Sequence, residues 1–100
     1  MKSDIYLQRL VQILKEEVPE KKGYWIIGSD GKTIVGETDF FNIEPDGEKW
    51  KVYFQERGMV FESYICKTER EACIKFIEMS EDVYHLSKYL SEFEEGKKVA

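Results

Sequence analysis

The segment WKVYFQERGMVFESYIC, residues 50–66, constrains the fold of this chain more than any other. Apolar and polar residues alternate in WKVYFQ, before the dipeptide Arg57-Gly58, and the run MVFESYIC after it is rich in β-branched and aromatic residues. This pattern predicts two strands of an antiparallel hairpin joined by a tight turn. The chain is therefore expected to contain an antiparallel sheet with at least one strongly apolar face.

The pairing register of this hairpin decides which side chains share a face. We place the turn symmetrically on Arg57-Gly58. Tyr53 then lies opposite Glu62, and Tyr64 lies on the same face, opposite Lys51. The other face holds the apolar residues Trp50, Val52, Phe54, Met59, Phe61 and Ile65.

Two alternatives to this register remain open. A shift of the pairing by one residue would move Glu62 and Tyr64 to the apolar face. A three-residue loop with Gly58 in a left-handed bulge would relieve Arg57, whose side chain disfavours a positive φ. The alternation favours the symmetric register, so we expect Tyr53 and Tyr64 to share one face.

The residues before this hairpin predict a helix and another hairpin. Ser3 can cap the helix, which should end near Val18 because the residue before Pro19 avoids helical geometry. YWII and KTIV are typical of strands, and SDGK between them predicts a tight turn. One face of the helix carries Ile5, Leu7, Leu10, Val11, Ile13, Leu14 and Val18.

The segment TDFFNIEPDGEK, residues 38–49, predicts one more short strand. Phe40, Phe41 and Ile43 supply its apolar residues. The run Pro45-Asp46-Gly47 predicts a turn before the central hairpin begins.

The C-terminal third predicts helices. Thr68 and Glu71 form a capping box that opens a helix with an inward stripe of Ala72, Cys73, Phe76 and Ile77. Ser80 can cap a further helix that carries Val83, Leu86, Leu90 and Phe93. Whether residues 69–94 form one bent helix or two stays open at this point, and we expect Gly96 to end the helix.

This order of elements predicts an α+β fold in a single domain, residues 1–100. The N-terminal helix is followed by an antiparallel meander of about four strands, and then by one or two C-terminal helices. We expect the helices to pack on one face of the sheet. One hundred residues leave no room for a second core.

Composition and charge narrow the class of protein. The formal net charge of −5 repels phosphate backbones, so direct nucleic-acid binding is not expected. No apolar run reaches the ~20 residues of a membrane span, and the N-terminal residues do not have the pattern expected of a signal peptide. We therefore expect a cytoplasmic protein without membrane contact. Cys66 and Cys73 are compatible with two free thiols or with a disulfide.

Catalytic and metal-binding patterns are weak. His85 is the single histidine, and its place on a helix indicates an exposed or partly covered side chain. GSDGKT, residues 28–33, lacks the spacing of a phosphate loop, and the acids of residues 39–48 lack the order of a calcium loop. We predict no enzyme activity, no cofactor and no metal.

The sequence favours a protein-binding surface instead. Tyrosine is enriched at binding hot spots, and an acidic rim would suit a basic protein partner. The predicted partner-binding residues are Tyr53, Tyr64, Glu62, Asp39, Glu44, Asp46 and Glu48.

Residues 23–79 resemble small immunity proteins of bacterial polymorphic toxin systems, including contact-dependent inhibition. The resemblance rests on GYWIIG, on WKVYFQERG, and on TEREACIKFI as a capped helix after a strand. It implies a short, acidic, cytoplasmic protein that binds a cognate toxin domain, for example a nuclease, and blocks it. It transfers no site residues. The implied mechanism is steric block with acidic mimicry of phosphates.

Two other functions are compatible with the sequence. The chain could act as a general interaction or regulatory module, for example a homodimer through the tyrosine face or a sheet edge. It could also be a small enzyme that uses Cys73 or acids near His85, although no catalytic constellation supports this.

Overall fold

The computed structural model describes residues 5–18, 23–36 and 40–99, the last five of these by their backbone alone. The predicted cap Ser3 lies outside these residues. The elements are α1 (Ile5–Glu17), β1 (Tyr24–Ile27), β2 (Thr33–Gly36), β3 (Phe41–Asp46), β4 (Lys49–Glu56), β5 (Met59–Cys66), α2 (Glu69–Met79), α3 (Glu81–Tyr84), a 3-10 turn (Ser87–Tyr89) and α4 (Leu90–Val99).

The α+β class is confirmed, but the predicted four-stranded antiparallel meander is wrong. The sheet has five strands in the order β2-β1-β3-β4-β5. Strand β1 pairs with β2 in an antiparallel hairpin and with β3 in parallel, so the sheet is mixed. Strand β3 therefore begins beside the start of β1, on the side of β1 that β2 leaves free.

Pro45 lies inside β3 rather than in the predicted turn. It pairs with Trp50 of β4, and Gly47 and Glu48 form the turn instead. Proline lacks an N–H and is tolerated where a strand has no neighbour on that side. The parallel pairing with β1 ends at Ile43, so β3 is already an edge at Pro45.

Gly36 is required where β2 ends against β1. Its φ is +138°, a conformation that L-residues rarely adopt, and an added Cβ would lie 2.6 Å from the Cα of Trp25. Glycine thus permits the close approach of the two strands at this point.

The β4–β5 hairpin has the predicted turn but not the predicted register. Arg57 and Gly58 have φ values of +53° and +79°, as in a two-residue turn of type I′. The pairing is symmetric only for the first two residue pairs from the turn. The second of these pairs joins Gln55 and Val60, and the next pair joins Phe54 and Glu62. Phe61 is therefore an extra residue in a β-bulge.

The bulge moves the rest of β5 by one residue. Tyr64 pairs with Val52, whereas Tyr53 pairs with Ser63. Because paired residues share a face, Tyr53 and Tyr64 lie on opposite faces of the sheet. The expectation that they share a face is wrong.

The helices form a layer on one face of the sheet. Thr68 caps α2 as predicted, because its hydroxyl accepts the N–H of Glu71 at 3.1 Å. The return bond of the capping box differs, since the Glu71 carboxylate accepts the N–H of Lys67 rather than that of Thr68. Glu69 accepts the Leu7 N–H in the first turn of α1 at 2.6 Å, which ties α1 to α2. The predicted stripe Ala72, Cys73, Phe76 and Ile77 is buried in one core cluster with Tyr24, Ile26, Val35, Phe41, Ile43, Trp50, Val52 and Cys66.

The C-terminal helical region is broken where Ser80 predicts a break. Ser80 is fully buried, and its hydroxyl donates to the Phe76 carbonyl at 2.8 Å instead of capping α3. His85 adopts a left-handed conformation with a φ of 58°, which ends α3. Helix α4 runs through Gly96 to Val99, so the predicted end at Gly96 is wrong.

An ion pair joins the first and last helices. The Arg9 guanidinium donates to both carboxylate oxygens of Glu92, at 2.7 and 2.9 Å. The hydrogen bond from Arg9 lowers the pKa of Glu92 below its ordinary value, and the nearby charge adds to this. Phe93 packs against Tyr6 beside this pair, with ring centroids 6.2 Å apart.

Substitution of Arg57 by Asn should stabilise the protein by about 1 kcal/mol, because Asn tolerates the left-handed conformation that Arg57 adopts. Urea unfolding followed by tryptophan fluorescence measures the change. Arg57→Ala is the matched control, since it removes the charge but keeps the backbone strain. Equal stability of the Asn and Ala variants would contradict the assignment of strain to this position.

The Arg9–Glu92 pair should make stability depend on pH with a defined sign. A carboxylate with a lowered pKa stabilises the fold above its ordinary pKa, and the contribution is lost as the pH falls through the folded value. We expect Glu92→Gln to be less stable than the wild type near pH 7, and the two stability curves to converge as the pH falls below the folded-state pKa of Glu92. Urea unfolding at a series of pH values from 7 downward measures the difference in stability, with Glu94→Gln on the same helix as control. A stability difference between Glu92→Gln and the wild type that persists unchanged at low pH would show that it does not come from the Arg9–Glu92 ion pair.

Candidate functional site

The face of the sheet opposite the helices carries a slot between two aromatic rings. Trp25 on β1, Asn42 on β3 and Tyr53 on β4 are aligned across three neighbouring strands. Together with Ile27 and Glu44 they line a cavity of about 190 Å³. Asn42 lies at the centre of the row and is 3% exposed, so it forms the floor between the two rings.

Polar contacts hold the side chains of this slot in place. The Tyr53 hydroxyl donates to Glu44 Oε1 at 2.9 Å, and the Asn42 amide donates to the Tyr53 carbonyl at 3.4 Å. Trp25 Nε1 donates to the Thr33 hydroxyl at 2.9 Å. The ring of Tyr53 also makes a cation–π contact with Lys51, whose Nζ lies 4.9 Å from the ring centroid.

The acidic residues of β3 face lysines across the hairpin. Glu44 pairs with Lys51, and Asp46 pairs with Lys49. Glu48 is exposed in the turn between them. The predicted acidic rim is therefore interleaved with positive charge at the residues that the structure describes. Asp39, the remaining acid of the predicted set, lies outside those residues.

Tyr64 and Glu62 form a separate group on the helix side. The Tyr64 hydroxyl donates to Glu62 Oε2 at 2.8 Å, and this hydrogen bond raises the pKa of Tyr64. Lys75 of α2 places Nζ 4.5 Å from the centroid of the Tyr64 ring. These side chains contact α2 and do not reach the slot on the other face.

The predicted binding residues are thus distributed over separate places. Tyr53 and Glu44 are brought together in the slot, Asp46 and Glu48 lie at the β3–β4 turn, and Tyr64 and Glu62 lie beside α2. Their role in partner binding stays a prediction. The structure corrects their arrangement, because the bulge at Phe61 places Tyr53 and Tyr64 on opposite faces of the sheet.

Strand β5 is an exposed edge of the sheet. It has eight residues, and within the described part of the chain it pairs with β4 alone. Met59, Phe61 and Ile65 are 63%, 59% and 54% exposed. Natural edge strands are usually protected by Lys, Pro or a bulge. The sequence of β5, MVFESYIC, contains neither Lys nor Pro, and its bulge leaves residues 62–66 as a regular edge.

An aromatic groove continues from this edge. Phe61 lies beside Phe54 with ring centroids 6.1 Å apart, and Phe54 lies beside Phe40 at 6.3 Å. The groove has a volume of about 380 Å³, and Val83 and Tyr84 of α3 form its other wall. Phe40 and Val83 are both exposed, so this end of the sheet is strongly apolar at its surface.

Sequence reasoning missed the apolar surface on β5 and around the groove. The signal was present in two consecutive runs, Met59-Val60-Phe61 and Phe40-Phe41. Successive strand residues point to opposite faces, so these runs cannot be buried entirely on one side. Val83 was predicted inside the apolar stripe, but it is 59% exposed because α3 is one short turn at the rim.

The cysteines and His85 do not form a reactive group. Cys66 and Cys73 are free and buried, and burial raises the pKa of both thiols, that of Cys73 well above its ordinary value. His85 is exposed, with Nδ1 3.8 Å from the Glu81 carboxylate. Among the described residues, His, Cys, Asp and Glu form no group of three or more that could hold a metal ion.

No family model, no curated protein and no solved structure matches this chain. None of the helices in the described ranges has the length and apolar content needed to cross a bilayer. The function must therefore be argued from the surfaces of the chain itself.

Both thiols should react slowly in the folded protein, because the thiolate is the reactive form and burial disfavours it. Reaction with a chromogenic disulfide reagent near pH 8 measures this, with the protein unfolded in guanidinium as control. We expect both cysteines to react quickly with the reagent only after the protein is unfolded. Fast reaction of one thiol in the native state would contradict the burial and reopen a role for that cysteine.

Proposed function

We propose that this chain is a non-enzymatic immunity protein that binds a cognate toxin domain through strand addition to β5 and blocks it sterically. The observation that carries the proposal is the long edge strand with exposed Met59, Phe61 and Ile65. The toxin as partner, and the cytoplasm as compartment, come from the resemblance to immunity proteins.

Strand addition fits the chemistry of this edge. An added strand satisfies the outward N–H and C=O groups of β5, and side chains on either side of it supply specificity. The regular part of the edge, residues 62–66, gives the hydrogen-bonding ladder. Met59 and Phe61 at the bulge, together with the aromatic groove beyond Phe54, offer apolar contacts where the added strand would end.

Steric block is better supported than acidic mimicry. Mimicry of phosphates needs carboxylates without nearby cations, and Glu44 and Asp46 face Lys51 and Lys49 across the hairpin. The net charge of −5 still favours approach of a basic protein by long-range attraction. Charge thus contributes to the association rate, and the edge strand contributes to the stability of the complex.

A second function, a homodimeric interaction module, uses the same strand. Two copies can pair β5 with β5 about a two-fold axis. Two features oppose this pairing. Each copy has a net charge of −5, and a register centred on Glu62 would place two carboxylates directly opposite each other. A foreign partner therefore fits the edge better than a second copy.

Co-expression with each toxin-like domain found in the neighbouring reading frames tests the function. We expect the wild-type chain to restore growth and to co-elute with the toxin domain, and Ile65→Lys to weaken binding at least tenfold because it places a charge on the edge. Ile34→Lys is the matched control, since Ile34 is an exposed isoleucine on the opposite edge strand, β2.

The outcomes separate the function from its site. A wild-type chain that neither protects cells nor binds the toxin domain would remove the proposed function. Protection by Ile65→Lys equal to that by the wild type would remove β5 as its site. A wild-type dimer that Ile65→Lys converts to a monomer would favour the homodimeric module instead.

A further inference from the structure

We propose that the slot between Trp25 and Tyr53 binds a cationic, planar side chain, an arginine of the protein partner. The presence of a protein partner rests on the proposed function, whereas the preference of the slot for a guanidinium rests on its own residues. This site lies on the open face of the sheet, away from the β5 edge. It would give the partner a second, independent point of attachment.

The strand spacing is compatible with a planar group between the side chains of Trp25 and Tyr53. Trp25 and Tyr53 are on alternate strands with β3 between them, so their backbones are about 10 Å apart. A planar group stacked between two rings needs about 7–8 Å between the ring planes. Asn42 is shorter than either aromatic side chain and is 3% exposed, so it lies at the bottom of the cavity of about 190 Å³ that Trp25 and Tyr53 both line.

The chemistry of the walls favours a cation. The face of an aromatic ring attracts cations, most strongly in Trp, and guanidinium also stacks well on such rings. Glu44 lines the same cavity and adds a carboxylate, with one oxygen accepting the Tyr53 hydroxyl. A carboxylate is the natural partner of the guanidinium N–H groups. Two rings and one carboxylate thus surround the space.

Lys51 shows that this environment already accepts positive charge. Its Nζ lies 4.9 Å from the centroid of Tyr53, and its backbone pairs with Glu44. A lysine attached to the same sheet competes with an incoming cation for both groups. Removal of Lys51 should therefore strengthen binding of an external cation, which a merely apolar depression would not do.

The position of the slot identifies which part of the partner supplies the arginine. A strand added to β5 would lie three strand spacings from β3, or about 14 Å from the floor of the slot. This is further than an arginine side chain extends. The arginine must come from a second element of the partner that lies over the open face.

NMR titration with N-acetyl-arginine amide tests the slot on the intact chain. We expect the Trp25 indole N–H signal to shift, while that of Trp50, which is buried on the other face, serves as internal reference. The neutral isostere N-acetyl-citrulline amide should produce a much smaller shift. Glu44→Gln and Tyr53→Leu should each weaken arginine binding at least fivefold, and Lys51→Met should strengthen it at least twofold.

Tyr64→Leu is the matched control, because Tyr64 lies on the helix side of the sheet and should leave the titration unchanged. Equal shifts from the citrulline and arginine compounds would overturn the proposal, as would no shift of Trp25 at high millimolar arginine. Binding that Glu44→Gln and Lys51→Met leave unaltered would also overturn it. The titration needs no toxin domain, so its failure and the failure of the proposed function are read separately.

Discussion

The packing of α2 against the middle of the sheet is the interaction on which the rest of the structure depends. Ala72, Cys73, Phe76 and Ile77 cover Val52 and its neighbours on one face and build a single core. Burial of such a face is the main favourable term in folding. Because this core lies on one side of the sheet, the side chains of residues 59–65 on the β5 edge and those of the opposite face other than Asn42 remain at least partly exposed.

Much of the architecture could be predicted from local signals. Thr68 and Glu71 identify the start of α2, the spacing of its apolar residues identifies the buried side, and Arg57-Gly58 identifies the hairpin turn. These features depend on residues close together in the chain, where capping and periodicity act directly. Leu7, Leu10 and Leu14 of α1 were predicted for the same reason and are fully buried.

The features that could not be predicted depend on pairing between distant residues. Nothing in YWII indicates that β1 pairs in parallel with β3, because this pairing joins segments that are separated in the chain by the whole of β2. The bulge at Phe61 is also invisible to an alternating pattern, since an extra residue leaves the alternation intact on each side. This one extra residue places Tyr53 and Tyr64 on opposite faces of the sheet, so the predicted binding residues do not form one surface.

The unpaired edge of β5 has a consequence for the free protein. A strand with open hydrogen-bonding groups and exposed Phe61 and Ile65 can also pair with identical strands, which leads to precipitation. Mutual repulsion between acidic molecules opposes this, and it weakens as the carboxylates take up protons. The colloidal stability of the chain in the absence of a partner therefore depends on its negative charge, and mild acid is the condition in which it is most easily lost.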